Sequence, residues 1–483
     1  MRISNLKLFI PFCLGFTLFL SFFMVFISGG NLDLYGSGSD YWDIQYFTAL
    51  LTVSQILTFL LLSFIALKRP IRNHALLPLG AAGVLAIGFS LFSINAMLPE
   101  KSSVVLVAAA ILLGSAIAGS MLSWLDLLSR TFDIENIAAI AAIGTSFVGV
   151  VNLALISFND VSTTLLSLGI IAAAHFFILA GIGWNSSKRA VSAPQASKPS
   201  DPMSYAKHVR KLLGMSWRSI TWVAVIGFSG GVARAMLYDS STINQPILQI
   251  MFTMSFFVGA IVLAVFCKVS SLADGFEKLY LVLFLLAATF FFIVPFAGTE
   301  YLSMLAGIEN VFVCIASICM LVTCVQIAQR NKVPVLFASG VLLSIVFGSA
   351  GFGLLFGSIV GYNLGTVIAA MIAVYVILLI GMVTAAVKAK TKQTKERVAL
   401  LLTGDNAEES IRNNPVYRDV YHLSDREMDV MILAIGGRNA SSISKVLFIS
   451  ENTVRFHLKN LYKKLDVHTK QELLSLVEGF ELQ

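Results

Sequence analysis

Long apolar runs recur along the first 387 residues of the chain. Each run holds about 20 residues with few charges, which is the length that an α-helix needs to cross the roughly 30 Å hydrocarbon layer of a bilayer. Because 57% of the 483 residues are hydrophobic and only 13% are charged, the composition excludes a soluble globular protein. The sequence therefore predicts an all-α fold that begins with a polytopic membrane helical bundle of about twelve spans. The predicted spans lie near residues 8–28, 44–67, 76–98, 103–125, 137–158, 163–184, 219–238, 246–267, 279–299, 302–326, 334–358 and 364–387.

The basic residues lie almost entirely on one side of these predicted spans. Lys and Arg accumulate in the cytoplasmic loops of membrane proteins. Here they precede the first span and follow the even-numbered spans, whereas Lys101 lies on the opposite side. We therefore expect a multi-pass membrane protein, with the lipid bilayer as a partner and with both the amino and carboxyl termini in the cytoplasm.

A long polar loop divides the spans into two groups of six. Residues 185–218 contain the low-complexity run SAPQASKPSDP and are predicted to link the halves 1–184 and 219–387 of the membrane domain. This six-plus-six topology resembles the major facilitator architecture. The loop after the second span, KRPIRNHALLPLG, lacks the Asp and the glycines usual in that family, whereas VSSLADGFEKL after the eighth span retains a Leu-Ala-Asp-x-Phe sequence. The resemblance implies a transporter-like membrane fold.

Two charged residues lie deep inside predicted spans. Arg234 is in the seventh span and Glu309 is in the tenth. Because a charge inside the hydrocarbon costs about 2.5–3.5 kcal/mol on insertion scales, each side chain is expected to face a cavity or a partner. The two are candidates to pair with each other or to bind a charged small-molecule ligand. Alternatively, Arg234 extends toward the outer end of its span, and Glu309 lies near the outer surface.

The sequence changes character after the last predicted span. Residues 388–421 open with the basic stretch KAKTKQTKER, which favours a juxtamembrane tether held near anionic lipid. Residues 422–483 are predicted to form a separate helical domain. In that domain, Ser424 and Glu427 have the spacing of a capping box at the start of a first helix, which ends at Gly436.

Three more helices are predicted in this domain. A second helix over residues 440–447 and a third over about 450–465 flank a tight turn, and together they make a helix-turn-helix. Thr469 and Glu472 form a second capping box that opens a fourth helix. The apolar residues of the third helix recur at steps of three and four and should pack inward; they are Val454, Leu458, Leu461 and Leu465.

The opposite face of the third helix is basic and polar, as is typical of a helix that enters the major groove of DNA. It consists of Asn452, Thr453, Arg455, Phe456, Lys459, Lys463 and Lys464. A soluble helical bundle with a basic face is the alternative. However, the caps, the turn and the basic helix all agree with a DNA-binding domain.

Residues 423–476, LSDREMDVMILAIGGRNASSISKVLFISENTVRFHLKNLYKKLDVHTKQELLSL, resemble the LuxR/NarL-type helix-turn-helix domain. The usual sequence in that family is close to LTxRExEVLxLxAxGxSNKEIAxxLxISxxTVKxHLxNIYxKLxVxxRxEL. This chain has Arg455 where Lys is usual, and Ala440-Ser441-Ser442 where Asn-Lys-Glu is usual. We therefore expect the second helix to hold the DNA backbone less firmly than in the family.

The resemblance implies a protein of the bacterial inner (plasma) membrane, and it also implies how the domain binds promoter DNA. Arg455, Phe456 and Lys459 would face base edges, and each such contact is worth roughly 1–3 kcal/mol of discrimination. The phosphates would be contacted by Thr453, His457 and Lys463. In the family, the last helix pairs two copies, so a homodimer on a two-fold operator is implied.

The predicted function is a membrane-integrated transcription regulator, in which the bundle senses a small-molecule or envelope signal. The alternatives are a major facilitator-type transporter with a regulatory DNA-binding tail, and a DNA-binding protein that the spans merely anchor. No enzymatic motif, cofactor site or metal site is predicted. The five cysteines, which lie in or beside predicted spans, are expected to be packing residues; they are Cys13, Cys267, Cys314, Cys319 and Cys324.

Overall fold

The structure is a computed structural model of the 483-residue chain. It describes residues 3–28, 41–68, 76–98, 101–158, 160–190, 205–239, 245–269, 272–293, 301–360, 411–436, 438–470, 472–473 and 476–477. The chain divides into two compact units, Met1–Ile372 and Ala373–Gln483. Regular structure throughout the described ranges is helical, which confirms the predicted all-α fold class.

Eleven long helices form the described part of the first unit. Each of the first eleven predicted spans falls on one of them, while the twelfth, 364–387, lies outside the described residues. Nine of the described helices are long and apolar enough to cross a bilayer, so this unit is a membrane bundle. The helices are α1 (Ile3–Ser28), α2 (Tyr41–Lys68), α3 (Leu76–Met97), α4 (Ser103–Thr131), α5 (Ile134–Ile156), α6 (Val161–Ala190), α7 (Tyr205–Asp239), α8 (Gln245–Val269), α9 (Leu272–Ile293), α10 (Leu302–Asn331) and α11 (Val335–Val360).

Local hydrogen bonds explain how polar groups are accommodated in this bundle. Between α4 and α5, the Phe132 amide donates to the carbonyl one turn earlier at 2.9 Å, and Asp133 accepts from the Asn136 amide at 2.9 Å. Within the spans, Ser and Thr hydroxyls donate to carbonyls of the preceding turn, as Ser123 does at 2.7 Å. These groups are therefore satisfied without water.

Helices α6 and α7 both extend into residues 185–218, which the sequence analysis assigns to the linker. Helix α6 ends at Ala190, and α7 begins at Tyr205. Leu212 is only 1% exposed, so the first turns of α7 pack against the bundle although they contain Lys and Arg. A search for apolar runs underestimates the length of this helix, because it detects only the part that crosses the hydrocarbon layer.

The two halves of the bundle pack together along α2 with α11 and along α5 with α8. A Cβ atom on Gly340 of α11 would lie 2.6 Å from the Phe59 carbonyl oxygen of α2, so only glycine permits this approach. Between α5 and α8, the Asn152 side-chain amide donates to the Thr253 hydroxyl at 2.8 Å. Close backbone packing and a hydrogen bond within the membrane therefore join the halves.

Two further hydrogen bonds join the halves at the end of the bundle where α1 begins. The hydroxyls of Tyr205 on α7 and Ser63 on α2 are 2.7 Å apart. Gln329 of α10 donates to the Ser129 carbonyl of α4 at 3.2 Å. The Tyr205 ring also makes an edge contact with Phe337. This end of the bundle is therefore closed by contacts between its halves.

The described part of the second unit is a small helical domain with three well-defined helices. These are α12 (Asp425–Ile435), α13 (Ala440–Leu447) and α14 (Glu451–Lys464). On α14, Val454, Leu461 and Leu465 are at most 1% exposed, and Leu458 is partly buried against the same core. The inward face predicted for this helix is confirmed.

Residues 411–421, which the sequence analysis places in the tether, pack onto this domain. Tyr417 is fully buried within a π-helical turn, Val416–Val420, and Ile411 is 3% exposed in the same core. Arg412 forms an ion pair with Asp429 at 2.7 Å. The domain therefore begins earlier than its sequence signature, because this segment is part of the domain's hydrophobic core.

Candidate nucleic-acid interface and intramembrane site

The helix-turn-helix is built from local caps. At the start of α12, the Ser424 hydroxyl accepts from the Glu427 amide at 3.3 Å, and Glu427 accepts from the Ser424 amide at 2.9 Å, which confirms the predicted capping box. Ser450 caps α14 by accepting from the Thr453 amide at 3.1 Å. Asn439 caps α13 by accepting from an amide at 2.8 Å. The sequence analysis missed this last cap, although an Asn directly before a helix is its usual signal.

The turn between α13 and α14 depends on a left-handed residue. Phe448 ends α13 with a φ of 55°, in the region that favours glycine. Its side chain is 93% exposed, so burial does not compensate for the conformation. The turn directs α14 away from α13 and leaves one face of α14 in solvent.

The predicted DNA-contacting residues lie on this solvent face or at its edge. Arg455 is exposed and forms an ion pair with Glu451 at 2.7 Å, one turn earlier on the same helix. Phe456 is 61% exposed, which is unusual for a phenylalanine, and its ring makes an edge contact with the His457 ring. Lys459 and Lys463 are also exposed. The four side chains form a continuous strip of positive charge and apolar surface.

Two of the predicted residues are less accessible. Thr453 and His457 are half-buried. The Thr453 hydroxyl is 2.7 Å from the Ser450 hydroxyl at the first turn of α14. The first turn of a helix carries free amides and the positive end of its dipole, which is where phosphate groups bind. Thr453 is therefore placed where a phosphate contact would be favourable.

Lys464, which is predicted on the same face, is exposed but also contacts α12 through its ammonium group. Its ammonium donates to the Glu427 carboxylate at 2.7 Å and to the His422 carbonyl at 2.7 Å. Burial, the largest single effect, raises the pKa of Glu427, but the hydrogen bonds from Lys464 and Ser424 together outweigh it and lower the pKa. Lys464 is therefore a structural residue that joins α14 to α12.

The fourth helix begins as predicted. The Thr469 hydroxyl accepts from the Glu472 amide at 3.2 Å, while the Glu472 carboxylate accepts from the His468 amide at 2.7 Å and the Thr469 hydroxyl at 3.0 Å. The hydrogen bond from the His468 amide, followed by the Thr469 hydroxyl, lowers the pKa of Glu472. Leu473 and Val477 are at most 3% exposed in the domain core.

The two charged residues predicted inside the membrane lie on neighbouring helices of the first unit. Glu309 of α10 is 3% exposed, so its side chain is buried among the helices of the bundle. Its Oε1 accepts from the Ser229 hydroxyl of α7 at 2.9 Å. The Arg234 guanidinium of α7 is close enough to act electrostatically on this carboxylate. The fold thus brings both predicted residues to the contact between α7 and α10.

Arg234 also lines a cavity of about 110 Å³ between the two halves of the bundle. Helices of both halves contribute to its walls, and most of the wall surface is apolar. Glu309 contributes no surface to it, although the next residue, Asn310, does. The wall includes Leu20, Phe23, Met24, Thr48, Thr52, Val148, Phe256, Val313, Ser317, Phe347 and Leu354.

Comparison with known proteins identifies the carboxyl-terminal domain. Residues 421–477 match the family model described as bacterial regulatory proteins, luxR family. A 45-residue segment is 49% identical to the transcriptional activator protein CarR of Pectobacterium carotovorum subsp. carotovorum, over 9% of this chain and 18% of that protein. A 48-residue segment is 46% identical to a nitrate/nitrite response regulator protein homolog of Haemophilus influenzae, over 10% and 23%. The chain thus spans about a fifth of the length of these relatives.

The membrane bundle is similar to solved transporter structures. A bacterial homologue of the iron transporter ferroportin, in an outward-facing state, superposes with a TM-score of 0.54 at 12% identity, over 78% of this chain and 99% of that chain. The human organic anion transporter MFSD10 superposes with a TM-score of 0.51 at 12% identity, over 77% and 96%. At this identity the likeness shows the fold alone. Residues 421–477 form a DNA-binding domain of the luxR family of bacterial regulators, which this chain joins to a membrane bundle with a major facilitator-like fold.

Proposed function

We propose that this protein is a membrane-integrated transcription regulator whose bundle senses a small-molecule or envelope signal and whose carboxyl-terminal domain binds promoter DNA. One observation carries the proposal: the same chain contains a luxR-type domain and a membrane bundle with a partly polar internal cavity. The bundle is the larger unit, and its cavity offers a place where a signal molecule can act. We therefore assign detection of the signal to the bundle and binding of promoter DNA to the luxR-type domain.

The strip on α14 supports the assignment of the DNA contacts. Arg455, Phe456 and Lys459 are exposed side by side and are assigned to base edges in the major groove. Thr453, His457 and Lys463 are assigned to phosphates. In free protein Arg455 is paired with Glu451, so binding exchanges a side-chain carboxylate for a guanine edge. Two copies are proposed to pair through the last helix on a two-fold operator.

The proposed signal mechanism is a shift between two arrangements of the bundle halves. A ligand moves such an equilibrium only through its different affinity for the two arrangements. The cavity lies between the halves, so its shape depends on how they are arranged. At the closed end of the bundle, the Tyr205–Ser63 and Gln329–Ser129 hydrogen bonds hold one arrangement. In this mechanism the arrangement determines whether two carboxyl-terminal domains can pair on DNA.

Genome-wide DNA occupancy and transcript levels, measured in cells with and without this chain, test the proposal. We expect sharp occupancy peaks beside a small number of promoters whose transcripts change when the chain is removed. Replacing residues 1–387 by one unrelated membrane-spanning helix should retain the occupancy peaks and abolish any response to the signal. An unchanged response after this replacement would mean that the spans serve only as an anchor.

Transport is the second candidate, because the solved structures with a similar fold are named as transporters. It predicts that vesicles containing residues 1–387 accumulate a substrate in the absence of the luxR-type domain. The relevant substrates are the compounds handled by enzymes that are encoded in the operon next to the gene for this chain. Accumulation together with an absence of occupancy peaks would favour the transporter over the regulator.

A further inference from the structure

The wall of the cavity between the two halves is mainly apolar but includes one charged side chain. Its walls are mainly apolar side chains, including three aromatic rings and several Met and Leu residues. Among the wall residues that the structure describes, Arg234 is the only one with a formal charge. Arginine stays protonated at any physiological pH and has five donor N–H groups in a planar fork that matches a carboxylate. The cavity therefore combines an apolar wall with one permanent positive charge.

We propose that this cavity binds a small apolar molecule with a single negative charge, and that Arg234 is the residue that contacts the anionic group. This inference rests on the proposed function, because it names the chemical class of the signal. An apolar cavity of about 150 Å³ holds one benzene molecule, which has six non-hydrogen atoms, so about 110 Å³ suits a smaller ligand of roughly four to five non-hydrogen atoms.

The neighbours of Arg234 favour an anion over a cation. A cation in the cavity would be repelled by Arg234, and the repulsion is strong because little water screens it there. Glu309 acts on Arg234, but its Oε1 is already bonded to Ser229 and its side chain contributes no surface to the cavity. A guanidinium has enough donors to serve this carboxylate and a ligand together.

The other polar groups of the wall are weaker candidates for the residue that contacts the anionic group of the ligand. The Asn310 amide nitrogen donates to the Ser255 hydroxyl at 2.6 Å, and the Thr52 hydroxyl donates to the Thr48 carbonyl at 2.8 Å. These donors are neutral, so they do not distinguish an anion from an uncharged ligand, whereas a guanidinium does. Arg234 is therefore the residue on which selectivity for a negative charge should depend.

The test measures thermal unfolding of the purified full chain in detergent with three probes of one size and shape. These are propanoate, 1-propanol and propylammonium, which at about pH 7.5 are an anion, a neutral molecule and a cation. We expect propanoate to raise the unfolding temperature in a saturable manner and the other two probes to leave it unchanged. The same result should be obtained with the carboxylate as the sodium and the potassium salt.

Variants of two arginines on α7 then test which arginine contacts the anionic group. Arg234→Gln should weaken propanoate binding by about tenfold or more, since one charge-assisted contact is lost, and Arg234→Lys should retain part of it. Arg218→Gln is the matched control: Arg218 is on the same helix, lies over the Trp217 ring and does not line the cavity. This variant should bind propanoate like the natural chain.

The inference is overturned if the natural chain shows no saturable response to propanoate, or if 1-propanol and propylammonium stabilise it equally. It is also overturned if Arg234→Gln and Arg218→Gln bind propanoate equally well. The probe comparison needs no variant, so it remains decisive if Arg234→Gln does not fold. Failure here leaves the proposed function standing, because that function fails instead when promoter output is insensitive to replacement of the bundle.

Discussion

The Lys464 ammonium lies 2.7 Å from the Glu427 carboxylate and joins the last turn of α14 to the first turn of α12. The Glu427 side chain is 5% exposed, while that of Lys464 is 37% exposed. The same carboxylate also accepts the Ser424 amide in the capping box. One side chain therefore caps the first helix of the domain and holds the helix that is proposed to enter DNA.

Replacing Glu427 by Gln should destabilise the domain by about 1–2 kcal/mol at neutral pH. Gln keeps the shape and a capping oxygen but removes the charge that Lys464 contacts; since Lys464 is partly exposed, solvent screening limits the loss. The measurement is urea unfolding of a fragment of residues 405–483, which retains Ile411 and Tyr417 in its core. Lys463→Met, at an exposed neighbouring lysine, is the control and should change stability by less than about 0.5 kcal/mol.

The same variant should show a defined pH dependence. The pKa of Glu427 is lowered in the folded domain, so its ionisation stabilises the fold above the pKa of the unfolded chain, which is about 4.3. This contribution is lost as the pH falls through the lower pKa of the folded state. The stability difference between the natural fragment and Glu427→Gln should thus be constant from about pH 6 to 8 and shrink below about pH 4. A difference that grows on acidification would contradict the assignment.

Residue spacing predicted the features that depend on local geometry. The capping boxes at Ser424 and Thr469 were predictable because each joins groups three or four residues apart. The role of Lys464 was not predictable, because its partner Glu427 is 37 residues away and is brought near only by tertiary packing. The sequence likewise predicted that Arg234 faces a cavity or a partner inside the bundle. It did not predict which residues form the cavity wall, because many of them lie on helices of the other half that only tertiary packing brings near Arg234.

The proposed base contacts predict a loss of specific DNA binding. Arg455→Ala and Lys459→Ala should each weaken operator binding by about 1–3 kcal/mol, and the double variant should bind specific and unrelated DNA equally. Binding of the 405–483 fragment to promoter DNA from an occupancy peak is the measurement, with circular dichroism to verify folding. Lys445→Ala, an exposed lysine on α13, is the control that retains specificity. Undiminished specific binding by the double variant would refute the assignment.

The proposed phosphate contact predicts a different signature at Lys463. Replacing Lys463 by Ala should weaken binding to specific and unrelated DNA alike, because a phosphate contact carries no sequence information. The slope of log affinity against log salt concentration should decrease by about 1. Titrations at several salt concentrations measure this slope. A loss confined to the specific site would instead place Lys463 at a base edge.

The left-handed conformation of Phe448 predicts a stabilising substitution. Phe448→Gly should stabilise the domain by up to about 1 kcal/mol, because glycine adopts a φ of 55° without strain and the exposed ring loses little burial. Phe456→Gly is the matched control, since Phe456 is also exposed but lies within α14. That change should destabilise by about 0.5–1 kcal/mol through loss of helix propensity. Both are measured by urea unfolding, and equal effects of the two changes would exclude the conformational explanation.

Close packing between α7 and α11 predicts that Gly231 tolerates no larger residue. A Cβ atom there would lie 2.2 Å from the Ala350 carbonyl oxygen and 2.7 Å from the Leu354 amide nitrogen, both of which are backbone atoms that cannot rotate away. Gly231→Ala should therefore separate the two helices and lower the unfolding temperature of the full chain in detergent. Gly181→Ala is the control, because a Cβ on Gly181 of α6 meets no atom within 4 Å. That change should leave stability unchanged or raise it by up to about 1 kcal/mol, since alanine favours the helix. Equal tolerance of the two alanines would mean that α7 and α11 do not approach at Gly231 as closely as described.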